Sequence, residues 1–226
     1  HRLSSAASDV YKRQAIIIVM SVMNGFRIDL TNRIIGLNSH LNIYSFDNEI
    51  TNKQADELIL NIDNSFFYQH YKSIETNGLI IKSNNSKGVM IKGYDAYDKN
   101  HYLFNSINMG ALIQNPKSEI LIGDSLANEM NLSVGDKVKI AIPKTDKTIL
   151  GNIPRFKTLE VVGIFDLGLY EYDSNLIFLS SELVRKLLLY DEDIYNKIEF
   201  FTSSPNEIEL FKLSLIHISE PTRQVP

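Results

Sequence analysis

The chain has no cysteine, which excludes a disulfide framework, a thiolate nucleophile and any cysteine-based metal site. Histidine is scarce. Between the two terminal segments only His40, His70 and His101 occur, roughly thirty residues apart and with no HExxH pattern. Zinc needs several ligands in close array, so each of the three reads as a surface or strand residue. There is no GxSxG elbow and no GxxxxGK[ST] phosphate loop, so neither a serine hydrolase nor a nucleotide site is expected. An ATP-driven process would need a separate ATPase chain. Basic patches with interleaved aromatics are missing too, and the net charge is −4. The terminal segments hold Arg2, Lys12, Arg13 and Arg223 against Asp9 and Glu220, so the interior is more acidic still. Such a chain is a poor nucleic-acid binder, because phosphate neutralisation needs clustered Lys and Arg. Asp191-Glu-Asp193 lacks the alternating oxygen ligands and turn glycine of a calcium loop and reads as a solvated acidic turn. Glu171 and Asp173 would share a face if extended, which suits a turn rim or interface better than acid–base work across a cleft. No catalytic residue, metal or cofactor is expected.

Long hydrophobic runs are also absent. The longest, Ala15–Met23, reads AIIIVMSVM and stops at Asn24-Gly25-Phe26. At ~1.5 Å per residue it covers about 14 Å, half of a ~30 Å hydrocarbon core. It is either a short buried helix or the C-terminal part of a severed transmembrane helix, spanning residues 15–25. The flanks favour the second reading. Ser4–Gln14, SSAASDVYKRQ, is the translation of a transposase-based sequencing adaptor, and Leu213–Arg223, LSLIHISEPTR, is that of the complementary adaptor. Residues 1–14 and 213–226 are therefore expected to be artefacts, which leaves 15–212 as an internal fragment of a longer protein.

Local patterns indicate many short elements. Phe26, Leu30, Ile34 and Leu37 recur at helical spacing up to Gly36. His40–Ser45 alternates as a strand with Leu41 and Ile43 on one face. Thr51 and Gln54 form a capping box, with Ile50 as a staple on Ala55, ahead of a helix burying Ala55, Leu58, Ile59 and Ile62. Asn77-Gly78 is a two-residue hairpin signal, and Asn84–Gly88 a second turn leading into Val89–Tyr94. Strands are expected at 119–122, 137–142, 159–165, 176–179 and 194–202. Asp124 or Ser125 caps one short helix, Ser180 or Ser181 starts another, and Ser204–Glu207 opens a third with proline in its first turn. Pro143–Lys157, polar and carrying Gly151 and Pro154, reads as a long protruding loop. Mixed hairpins with interspersed helices predict an α+β fold with mixed sheets, not a doubly wound parallel sheet.

Several of these segments resemble one family. Ala15–Ser45, with Ser21-Val-Met-Asn-Gly-Phe26 at its centre, is similar to the junction between the first transmembrane helix and the periplasmic domain in permeases of the lipoprotein-releasing ABC transporter, the LolC/LolE type. Gly88-Val-Met-Ile-Lys-Gly93 is similar to that family's GVxxxG strand. Ile122–Ala127 with Leu132–Asp136 resembles its Gly-x-x-Leu-Ala and Gly-Asp block. Ile153–Phe156, Val161–Phe165 and Tyr170–Asp173 resemble its loop-and-strand block. The match spans nearly all of 15–212.

The resemblance implies a MacB-like periplasmic core domain over 26–212, placed between two membrane helices of an inner-membrane permease. It implies a second permease subunit, cytoplasmic ABC ATPase subunits, triacylated lipoproteins as cargo and the periplasmic chaperone LolA as recipient. A protruding hook in one paralogue docks that chaperone; by position it falls in Pro143–Lys157, with Gly151, Ile153, Pro154 and Arg155 as contacts. The physics agrees: an acyl anchor is held by ~0.8 kcal/mol per buried methylene, so release needs external energy and an apolar shelter. Met20 and Met23 suit variable acyl packing, although plain helix or lipid contact fits them as well. Phe26 suits an anchor at headgroup depth. Three alternatives stay open: another MacB-like export permease for a drug, toxin or peptide; an FtsX-like signalling permease; and a soluble α+β domain with 15–23 buried.

Overall fold

A computed structural model describes residues 2–37, 39–44, 49–62, 66–97, 101–148, 151–191, 193–204 and 208. In chain order the elements are α1 (Arg2–Leu37), β1 (Leu41–Tyr44), β2 (Ile50–Thr51), α2 (Asn52–Asn61), β3 (Gln69–Lys82), β4 (Asn85–Tyr94), a 3-10 turn (Tyr102–Ser106), β5 (Ile107–Gly110), β6 (Glu119–Gly123), α3 (Asp124–Met130), β7 (Lys137–Thr148), β8 (Gly151–Phe165), α4 (Tyr170–Asn175), β9 (Leu176–Ser180), α5 (Ser181–Leu188), β10 (Ile194–Tyr195) and β11 (Lys197–Phe201). The chain divides into two units, His1–Asn38 and Ser39–Pro226. The α+β reading with mixed sheets holds.

The first unit is α1. It runs unbroken from the apolar segment through Asn24-Gly25 into the amphipathic stretch, and ends at Leu37, one residue past Gly36. It also runs through Ser4–Gln14, so the backbone marks no boundary at residue 14.

In the second unit the strands close on themselves. β3 pairs with β4 and β7, β4 with β9, β9 with β6, β6 with β8, and β8 with β7. Pairs β4–β9 and β6–β8 are parallel; the others are antiparallel. A closed ring of pairings leaves no free edge within it. Its interior is lined by Ile74, Ile80, Ile91, Ile120, Ile122, Ile140 and Ile177, all fully buried. Branched side chains fill a pleated, covered surface well. α5 lies against β3, β4, β7, β8 and β9 and sends Leu183, Val184, Leu187 and Leu188 into the same core. Ser180 is its N-cap, accepting from the Leu183 N–H at 3.2 Å.

Two local expectations fail here. Asn77-Gly78 is no turn: β3 passes straight through it, and the chain reverses at Ser83-Asn84, with Ser83 at φ 53°. Glycine is needed at 78 for proximity, because a Cβ there would lie 2.6 Å from Ile91 Cδ1 and 2.7 Å from the Ala141 carbonyl oxygen. Nor does Asp124 or Ser125 cap α3. The N-cap is Gly123, with no side-chain bond, and a Cβ on it would meet the Asp173 carbonyl oxygen at 2.1 Å.

Outside the ring, β11 joins β3, and β1 joins β11 as the edge. α2 covers this extension with a second core of Leu41, Ile50, Ala55, Ile59, Ile62, Phe67, Ile198 and Phe200. The Thr51–Gln54 capping box forms as read, with Gln54 N–H donating to Thr51 Oγ1 at 3.3 Å. Leu58 was expected to be buried but stands 37% exposed. The helix expected from Ser204 lies largely outside the described residues.

Candidate functional site

The first candidate is the segment read as a loop, and the structure corrects that reading. Lys137–Thr148 and Gly151–Phe165 are the arms of one hairpin. Within the barrel wall Val138, Ile140, Ile142, Leu159 and Val161 point inward. From Ile142 and Arg155 outward, among the described residues, the arms pair only with each other, as Thr145–Pro154, Asp146–Ile153, Lys147–Asn152 and Thr148–Gly151. The register shifts between Ile142 and Thr145, the step that contains Pro143. Proline lacks an N–H, so it is tolerated at bulges and edges of a sheet and excluded from its centre. Prolines, a glycine and polar side chains disguise such a ribbon as a loop.

Of the expected contacts, Gly151, Ile153 and Pro154 lie on the free ribbon, whereas Arg155 is at its root. There Arg155 Nη1 donates to the Lys186 carbonyl at 3.2 Å, tying the ribbon to the last turn of α5. Sequence reading missed the apolar strip beside it. Leu79, Ala141 and Phe156 stand opposite one another across β3, β7 and β8. Ala141 is buried between its larger neighbours, while Leu79 and Phe156 are 46% and 54% exposed. Directly opposed residues share a sheet face, so the ribbon has an apolar patch at its foot.

α5 is held in turn by Asp95, which accepts from Ser181 Oγ, from Tyr195 Oη at 2.6 Å and from Arg185 Nη2 at 3.4 Å. The Arg185 guanidinium lies 5.0 Å over the Tyr195 ring. Burial, and then the bond to Asp95, pushes the Tyr195 phenol up to about 12. The adjoining cavity, about 490 Å³, is lined by Asp95, Glu182 and Asp193 together with Arg185 and Lys186. Asp95 pairs with Arg185 and Glu182 with Lys186, while Arg185 Nη1 is a buried donor without a hydrogen-bond partner among the described residues.

The second candidate is the α1 run. Ile16, Ile17, Ile18, Val19, Met20, Val22 and Met23 are each more than half exposed, as is Phe26. Consecutive positions cover the full circumference of a helix, so this run is apolar all round, the pattern of a buried or membrane segment. It is not buried. No described helix is long and apolar enough to cross a membrane.

Other singled-out residues turn out to be structural. Tyr170–Asn175 is helical, so Glu171 and Asp173 do not share a face. Asp173 is buried, accepts from the Leu167 N–H at 2.8 Å and the Leu169 N–H at 3.2 Å, and has its carboxyl pushed up by burial. His101 is buried, not on the surface, with its ring 4.7 Å from Tyr94 and 4.8 Å from Tyr71. His40 Nδ1 accepts from the Thr202 N–H at 2.9 Å. His70 lies on β3, where burial and then Lys72 lower its basicity. Among the described residues no group of three or more metal-binding side chains occurs.

Sequence reading also missed a buried charge network on the barrel's outer face. Lys197 Nζ lies 2.9 Å from both Glu75 Oε2 and Glu199 Oε1, and Lys92 Nζ lies 3.3 Å from Glu199 Oε1. Tyr94 Oη donates to Glu199 Oε2 at 2.5 Å. Lys92, Lys197 and Glu199 are all buried, Glu199 to 1% exposure. Burial pushes the Glu199 carboxyl up, but Lys92, Lys197 and the Tyr94 hydroxyl outweigh it and hold it at about 2. Burial likewise opposes the Lys197 charge, and Glu199 with Glu75 overcomes it, so its ammonium stays above the usual range.

No protein-family profile matches the chain. The lipoprotein-releasing system transmembrane protein LolC of Neisseria meningitidis serogroup B is 26% identical over 185 residues, 80% of this chain and 44% of that protein. LolC of Buchnera aphidicola subsp. Acyrthosiphon pisum is 23% identical over 207 residues, 89% of this chain and 50% of that protein. The chain thus spans about half the length of the curated relatives it matches. In fold, the periplasmic region of MacB from Actinobacillus actinomycetemcomitans superposes with a TM-score of 0.51 at 14% identity, over 83% of this chain and 85% of that one. Likeness in sequence and in fold together bears out the resemblance read from the motifs, to permeases of the LolC/LolE type and to the MacB-like periplasmic fold.

Proposed function

We propose that residues 15–212 are part of a permease subunit of an ABC transporter that releases lipoproteins from the inner membrane and hands them to a periplasmic chaperone. The 1–14 and 213–226 segments are adaptor sequence in this reading. The observation that carries it is the LolC likeness, extending over 80% of the chain. Ala15–Gly25 is then the end of a membrane helix, with Met20 and Met23 facing lipid or acyl chains and Phe26 at headgroup depth. The domain from 26 onward stands in the periplasm, and ATP is hydrolysed on partner ATPase chains. The ribbon of β7 and β8 is the chaperone-docking element, with Gly151, Ile153 and Pro154 along it, Arg155 at its root and the Leu79–Phe156 strip as a flanking surface. A hairpin that is held at its base, and whose described outer residues pair only with each other, offers a partner a docking element outside the barrel wall.

The test is reconstitution. The full-length protein, with its second permease subunit and ATPase subunits, is placed in vesicles holding a triacylated lipoprotein, and soluble LolA is added outside. ATP-dependent appearance of lipoprotein on the chaperone is expected. ATP hydrolysis without transfer, or transfer of a drug or toxin instead, overturns the assignment.

A further inference from the structure

The chain enters the second unit at Ser39 and passes into β1; it leaves the sheet after β11. These two strands are partners, with Leu41 opposite Phe200 and Tyr44 opposite Lys197. His40 N–H donates to the Phe200 carbonyl at 2.9 Å, and Thr202 N–H donates to His40 Nδ1 at 2.9 Å. The entry of the chain into this sheet and its exit from β11 therefore meet at one clasp. β1 reaches the rest of the sheet only through β11 among the described pairings.

We propose that Glu199 is the hub of a coupling joint, through which the two segments flanking the domain act on the barrel. The proposal rests on the reading above, in which a membrane helix precedes the domain, and on the family resemblance, which implies a second one beyond residue 212. Glu199 gathers groups from every part concerned: Ser39 Oγ from the incoming chain, 3.4 Å away and sharing its one hydrogen with the nearer Asn42 Oδ1 of β1, Lys197 from the outgoing strand, and Lys92 and Tyr94 from barrel strand β4. Lys197 extends the link to Glu75 on β3. The opposite face of β11 carries Ile198 and Phe200 into the apolar second core. A slip of β11 by one residue would exchange its faces, placing Lys197 and Glu199 among those apolar side chains. An apolar contact is non-directional and allows sliding, whereas two buried lysines and two glutamates fix one register. The joint therefore transmits displacement of either connection to β3 and β4 without slippage.

The experiment is hydrogen exchange on the full-length protein in nanodiscs, paired with the lipoprotein-release assay. In Glu199→Gln, amides of 40–44 and 197–202 exchange roughly a hundredfold faster or more, while those of 119–123 and 158–165 keep wild-type rates. Tyr94→Phe, which removes one hydroxyl and preserves the core, gives the same pattern at roughly threefold and decides the matter should Glu199→Gln not fold. Release per ATP hydrolysed falls with the exchange change. Unaltered exchange in the clasp, or a parallel rise in clasp and barrel, overturns the joint. Faster clasp exchange with wild-type release per ATP also overturns it. A wild-type protein that releases no lipoprotein overturns the transport reading instead, and the exchange pattern still decides whether Glu199 holds the clasp to the barrel.

Discussion

The barrel interior and the layer around β11 are both buried, yet they are held by opposite means. Inside the barrel the contacts are aliphatic, from isoleucines on six strands and leucines of α5. Around β11 one face is apolar and the other carries Lys197 and Glu199 against Glu75, Lys92 and Tyr94. Aliphatic packing depends on volume and tolerates changes of shape. A buried ion network depends on every member being present, because removing one leaves a desolvated charge behind. The barrel is therefore built to tolerate substitution and the clasp to specify position.

Isosteric substitutions expose the difference most strongly. Glu199→Gln changes almost no volume but leaves two buried ammonium groups short of a counter-charge, and should lower the opening free energy of the clasp by about 3–5 kcal/mol. Ile91→Leu, an equally conservative change at a fully buried barrel position, should cost under ~1.5 kcal/mol. Amide exchange in β11 and β4 reads both. Equal costs would erase the distinction.

Acid should separate the two regions next. The Glu199 carboxyl is held at about 2 in the fold, below its ordinary value of ~4.3. Its contribution is therefore complete above about pH 4.3 and is lost as the pH falls towards 2. The clasp should open over that window before the barrel does, and Glu199→Gln should abolish the pH dependence. Exchange at 197–202 measured across this range is the check; a clasp as acid-resistant in wild type as the barrel would contradict it. The smallest expected effect is Thr51→Ala, which removes the cap of α2 for about 1 kcal/mol and should be felt in the outer layer alone.

What the sequence revealed was what neighbours decide. The Thr51–Gln54 box and the Ser180 cap are local hydrogen-bonding patterns, and each forms where read. Asn77-Gly78 carried an equally strong turn signal, but there crowding by Ile91 and Ala141, remote in sequence, sets the requirement for glycine. The same holds for charge. Lys197-Ile-Glu199-Phe-Phe201 alternates like a strand with one wet face, and nothing local tells that Tyr71, Tyr94 and the chain around His101 gather on that face. Closure of the barrel is a property of pairings between distant strands and was invisible. Of the candidate site, the position of the ribbon was legible and its strand character was not.

The central claim, that the ribbon receives the lipoprotein chaperone, is tested most directly by a photo-reactive side chain at position 153 of the full-length protein in its assembled transporter. A crosslink to LolA is expected that Arg155→Glu weakens, since loss of the bond to Lys186 frees the root of the ribbon, while assembly with the ATPase subunits is unchanged. A transporter that delivers lipoprotein to the chaperone with no crosslink from position 153, or with one indifferent to Arg155→Glu, would contradict it.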